Sequence, residues 1–234
     1  MPMDYRRRLT RRLSFNLITG IVLLFLASHA TQANEIAIWN FNDSNLIVDH
    51  GTGVLTTDII AANVLFAAGT TNNARLGDPA GQAVSLQGGS GTANNGRSLT
   101  FNVSTLGFSN IVVSFATQGT STGFNNNQFQ YSLDGVTFVN FGPAFVPATA
   151  FGSVPLVFTL SSIVGLNNNA NAAFRIVFNG ASSATGTNRI DNFVVEGTPS
   201  GTPEPSGVPE PATAVLLVSG LTGLYGVRKR RRQK

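Results

Sequence analysis

For its central part this sequence predicts an all-β fold, an antiparallel β-sandwich closed in a jelly-roll-like manner, and three observations predict it. Apolar and polar residues alternate at period two in several short stretches, the pattern of strands buried on one side. Clusters rich in Asn and Gly separate those stretches at short intervals and supply the positive backbone angles that tight turns need. No convincing amphipathic helix interrupts them, and many short strands without helices read as two packed sheets.

Taken in order, the body opens on "EIAIWNFND", a strand carrying Trp39 and Phe41. In "SLTFNV", Leu99, Phe101 and Val103 face one way and Ser98, Thr100 and Asn102 the other. Ile111, Val113 and Phe115 share a face of "NIVVSFAT". Phe129, Tyr131 and Leu133 oppose Gln128, Gln130 and Ser132 in "NQFQYSL". Asp134-Gly135 follows at once, flanked by a second strand, and marks a hairpin. Phe174, Ile176 and Phe178 share a face of "AFRIVF", and the body closes on "NRIDNFVVEG". Residues 34–198 suit one domain, and the Pro-, Gly- and Ser-rich residues 199–207 read as a linker.

The overall charge of +4 is a property of the ends. Between residues 34 and 199 only Arg75, Arg97, Arg175 and Arg189 are basic, against the eight acids Glu35, Asp43, Asp49, Asp58, Asp78, Asp134, Asp191 and Glu196, which leaves −4. Nucleic acid needs a basic footprint to neutralise phosphates, so a nucleic-acid partner is excluded for the body. The absence of cysteine removes thiol nucleophiles, zinc–thiolate sites and disulfides.

The ends read as addresses. Arg6, Arg7, Arg8, Arg11 and Arg12 precede an apolar run from Phe15 to Ala27 and then small residues, the three parts of a signal peptide over residues 1–33, with cuts after Ala30 or Ala33 fitting the pattern. At the other end Val208-Pro209-Glu210-Pro211 precedes 16 uncharged residues, 212–227, and then Arg228, Lys229, Arg230, Arg231, Arg232 and Lys234. A helix of that length spans ~24 Å, short of a hydrocarbon core but rescued as a membrane stop by snorkelling arginines and local thinning. Basic residues stay on the cytoplasmic side, so the body is expected outside the inner membrane.

The Pro-Glu-Pro motif, short apolar helix and Arg-rich end, in that order over residues 208–234, resemble the PEP-CTERM sorting signal of Gram-negative bacteria. That resemblance implies an exosortase as partner. The enzyme would recognise the motif and remove the helix and basic end, giving a transient membrane anchor and then a cell-surface or extracellular-matrix location. The first and last strands of the body, with Trp39, Phe41 and Ile190-Asp191-Asn192, resemble more loosely the jelly-roll modules of extracellular carbohydrate-binding and concanavalin-like proteins. In such modules a structural calcium often joins the first and last strands. Asp191 with Asp43 or Glu35 would be the matching positions, and a salt bridge from Asp191 to Arg189 or a backbone cap is the simpler alternative.

Chemistry is sparse. The body's lone histidine, His50, lies beside Asp49, and no Gly-x-Ser-x-Gly elbow supplies a nucleophile, so a non-enzyme is expected. Sugar platforms favour Trp and Tyr, and the body has one of each, Trp39 and Tyr131, against 15 Phe. Trp39 is therefore the candidate ligand-binding ring, and Tyr131 shares its face with core residues. The absence of an internal repeat argues against an ice-binding array. A structural or adhesive component is the leading expectation, with exopolysaccharide binding as its first rival and a polysaccharide hydrolase or lyase behind both.

Overall fold

A computed structural model of the chain describes residues 34–200. The signal peptide, the sorting motif Val208–Pro211, the apolar run and the basic end all lie outside the described residues. Among the described residues no helix is long and apolar enough to cross a membrane.

The expected all-β fold is present. Twelve strands form two antiparallel sheets, with only short 3-10 turns between them. The larger sheet contains β1 (Asn34–Trp39), β2 (His50–Gly51), β4 (Val64–Ala68), β5 (Gln82–Gln87), β7 (Phe108–Gly119), β10 (Leu156–Thr159) and β12 (Thr187–Pro199). The smaller runs in the order β3 (Val54–Thr57), β6 (Arg97–Asn102), β11 (Ala173–Phe178), β8 (Gln128–Ser132), β9 (Phe138–Asn140). Successive strands mostly change sheet, so most connections cross the sandwich, the habit of a jelly roll.

Alternation translates into burial as the sequence implies. Leu99, Phe101, Val103, Ile111, Val113, Phe115, Phe129, Phe174, Ile176 and Phe178 are all buried. The two sheets are joined by rings. Phe193 of β12 stacks on Phe101 of β6 with centroids 3.5 Å apart, and Phe158 of β10 stacks on Phe129 of β8 at 4.0 Å. The ring planes are near-parallel, 1° and 16° apart, so both pairs bury their faces between the sheets. Most of the phenylalanines therefore pack in or against the core, as expected of rings without a polar handle. Leu133 leaves the pattern: it lies past the end of β8 and is exposed.

Strand β12 organises the larger sheet. One edge pairs with β7 along most of its length; the other pairs with β5 through Thr187–Ile190 and with β1 through Phe193–Gly197. Asp191 and Asn192 fall where the neighbour changes. Here β12 bulges against β7 and Asn192 takes a φ of 48°. A bulge strips backbone groups of ladder partners, which buried structure must replace. The loop after β4 does so: Asn192 Nδ2 donates to the carbonyls of Thr70 and Asn72, and Asn73 Nδ2 donates to the carbonyl of Asn192.

The Asp134-Gly135 hairpin forms with a longer loop than the dipeptide implies. Ser132 pairs with Phe138, leaving five residues between the strands, with φ of 76° at Gly135. Asp134 Oδ1 accepts from the N–H groups of Val136 and Thr137 and from Ser132 Oγ. The turn is built on that carboxylate, and those bonds hold its pKa well below the usual carboxylate range.

Candidate functional site

The solvent-facing side of the smaller sheet carries a continuous polar row. Register places Thr56 beside Thr100, Thr100 beside Arg175, Arg175 beside Gln130 and Gln130 beside Asn140, one residue from each of β3, β6, β11, β8 and β9. On β6 and β11 the row residues alternate with core residues, Leu99 and Phe101 flanking Thr100 and Phe174 and Ile176 flanking Arg175. At about 4.8 Å per strand the row spans ~19 Å.

The row is held in place before any ligand arrives. Arg175 Nε donates to Gln130 Oε1 at 2.8 Å, and Gln130 Nε2 donates to Asn140 Oδ1 at 2.7 Å. The Arg175 guanidinium lies over the ring of Phe138, 3.6 Å from its centroid. Partial burial lowers the pKa of Arg175, opposed by the field of Asp58, and an arginine remains charged regardless. Among the described residues Nη1 and Nη2 of Arg175 make no hydrogen bond and no ion pair. A cleft of about 300 Å³ opens at the end of the same sheet, lined by Asn102, Ser104, Asp134, Gly135 and Asn171 among others. Asn102 is two residues from Thr100 on β6, so row and cleft share one strand.

The residues nominated from sequence lie elsewhere. Trp39 is fully buried, edge-on to Phe101 and Phe193, with no hydrogen bond to its Nε1. The expectation of a ligand-binding Trp39 is corrected: β1 points the indole between the sheets. The proposed calcium grouping does not form either. Glu35 lies 3.9 Å from Arg75, which bonds Glu196 at 2.9 Å; Asp43 bonds Asn45; Asp191 is at the β12 bulge. Among the described residues no three His, Cys, Asp or Glu side chains stand together as a metal cluster. These three carboxylates therefore do not fit a shared cation.

Asp191 is fully buried, and Arg189 is not its partner: Arg189 Nη1 bonds the Ala68 carbonyl and Gln118. Asp191 Oδ2 instead accepts from Thr70 N and Oδ1 from Asn192 N. Desolvation raises its pKa to about 7 against the lowering effect of those two donors. His50 Nε2 lies 3.5 Å from Asp78 Oδ2, which also accepts from Asn40 Nδ2. Asn40 N donates to Asp49 Oδ2, and desolvation is the largest effect raising the pKa of Asp49.

Sequence reasoning passed over Arg175, Gln130, Asn140 and Phe138. The available signal was the polar phase of "NQFQYSL" and "AFRIVF". Only strand pairing turns separate polar positions into one row.

No family model matches the chain, and no curated protein matches it. Among solved structures it is similar to the CBM22-1 xylan-binding domain from Paenibacillus barcinonensis, at 9% identity and a TM-score of 0.44, over 74% of this chain and 99% of that one. It is also similar to domain 4 of AbnA, an extracellular arabinanase from Geobacillus stearothermophilus, in complex with arabinotriose (13% identity, TM-score 0.42, 72% and 94% covered). A third similarity is to the K2 cleaved adhesin domain of Lys-gingipain (12% identity, TM-score 0.42, 69% and 98% covered). At identities and TM-scores this low, these similarities decide neither ligand nor activity.

Proposed function

We propose that residues 34–199 form a non-catalytic polysaccharide-binding β-sandwich of the cell surface or extracellular matrix, and that the outer face of the five-stranded sheet is its binding surface. The observation that carries this reading is the row Thr100–Arg175–Gln130–Asn140, tethered by hydrogen bonds from Arg175 to Asn140. Glycan hydroxyls both donate and accept, so they are met by fixed donors and acceptors in a line. Solvent-facing amides ordinarily keep their rotamer freedom. Here two are already ordered, which reduces the entropy lost on binding. Ring stacking plays a small part, because Phe138 already lies beneath Arg175.

Affinity electrophoresis of the exported protein through gels containing neutral and acidic polysaccharides tests the reading. The parent is retarded by at least one polymer, and the triple variant Thr100→Ala, Gln130→Ala, Asn140→Ala loses that retardation with its melting temperature kept. Retention of binding by a folded triple variant moves the site elsewhere. No retardation by any polymer leaves a purely structural or adhesive body.

Delivery completes the reading. The Val208–Pro211 motif with the basic end from Arg228 to Lys234 supports sorting by an exosortase, with the apolar run as a transient anchor. Intact mass of the native protein checks it. Loss of both the leader and everything after the Pro-Glu-Pro region is expected, whereas a mass retaining Arg228 to Lys234 means an ordinary anchor.

A further inference from the structure

Resting on the five-stranded face as the binding surface, we infer that its ligand is an acidic polysaccharide, one bearing uronic-acid carboxylates, and that Arg175 is the residue that selects it. The body's four arginines are used differently. Arg75 is paired with Glu196 and Glu35. Arg97 donates to the carbonyls of Ala93 and Asp58, and Arg189 to the carbonyl of Ala68 and to Gln118. Arg175 alone presents two terminal nitrogens with no partner among the described residues.

Its geometry suits a carboxylate. Nε is fixed by Gln130, one face of the guanidinium is covered by Phe138, and Nη1 and Nη2 have no hydrogen-bond partner among the described residues. A guanidinium held this way offers two parallel N–H donors, the fork that a planar carboxylate matches. The nearest opposing charge does not fill that role. Asp58 Oδ1 accepts from Ser98 N and Ser98 Oγ and makes no ion pair with Arg175. In a body of net charge −4 without lysine, a polyanion is repelled by most of the surface, and Arg175 is the arginine on the polar row that offers it two unpartnered terminal nitrogens. The amides and hydroxyls on either side serve the neutral hydroxyls of adjacent sugars.

The test compares polygalacturonate, alginate and hyaluronate, each beside its carboxyl-reduced derivative, with the exported protein and with Arg175→Gln and Arg175→Lys. The expected result is binding of at least one acidic polymer, lost on carboxyl reduction, weakened by salt, and reduced about tenfold or more in Arg175→Gln. Arg175→Lys, which keeps the charge and loses the fork, falls between. Melting curves confirm that each variant is folded. Equal binding of acidic and reduced polymers, or an Arg175→Gln variant that still binds the acidic polymer fully, overturns the inference. If the Thr100/Gln130/Asn140 variant still abolishes that binding, the binding surface survives its failure. Binding of neutral polymers only also overturns it, and binding of none overturns both.

Discussion

Arg175 and Asp191 each lack an ion-pair partner among the described residues, and each sits mid-strand in the middle of a sheet. Their surroundings differ in one respect. Asp191 has each oxygen engaged by a backbone N–H and is sealed from solvent, so its hydrogen bonds hold the β4 loop to the bulge in β12. Arg175 is half-buried, uses Nε to fix its orientation, and has no hydrogen-bond partner for Nη1 or Nη2 among the described residues. An unpaired charge points to a ligand when its spare hydrogen-bonding capacity faces water. When that capacity is consumed inside, the charge is part of the framework.

The largest effect that separates the two is the pH dependence of stability. Asp191 titrates at about 7 in the folded chain against 3.8 as the ordinary value, so the folded state holds a proton that the unfolded state has released. That contribution is full below about 4, falls as pH rises, and is gone above about 7, a change of roughly 4 kcal/mol. Denaturant unfolding at stepped pH shows it, and Asp191→Asn removes most of the slope. Asp49, also raised by burial, leaves a residual slope of the same sign. A parent and variant with parallel profiles would show that Asp191 titrates normally.

Next in size is Gly69→Ala. A Cβ there overlaps Asp191 Oδ2 and the carbonyl of Ala80, and a forced fit of this kind costs about 1–3 kcal/mol. Polysaccharide affinity of the folded variant is expected to be unchanged, since the loop and the polar row lie on different sheets. The smallest effect on stability is that of Arg175→Gln, which loses a half-buried ring contact and one side-chain bond, about 1 kcal/mol. A loss of several kcal/mol would make Arg175 a framework residue like Asp191 and remove the contrast.

The fold was legible because strands such as β6 and β11 bury their apolar face, and burial writes period two directly into "SLTFNV" and "AFRIVF". The pairing of the first strand with the last, β1 with β12, was not legible in the sequence. The site was much less legible. Its row joins Thr100 to Arg175 and Arg175 to Gln130 through registers that no single stretch encodes. Trp39 misled for a related reason. Composition marks a rare amphipathic ring as a binding residue, whereas strand phase decides that it packs against Phe101. Carboxylates on the first and last strands were expected to converge, and the bulge at Asp191 took a different partner from the β4 loop.

The most direct test of the central claim is a ¹H–¹⁵N spectrum of the exported protein titrated with a polysaccharide fragment that retards it in the gel. This spectrum reports the side-chain amides of Gln130, Asn140 and Asn102, the Nε of Arg175, and the backbone of residues 69–73 together. Saturable shifts at the first four groups, with residues 69–73 unmoved, are expected. Shifts confined to the β4 loop and the Asp191 bulge, with Arg175 and Gln130 unchanged, would contradict the claim that the five-stranded face is where this protein binds.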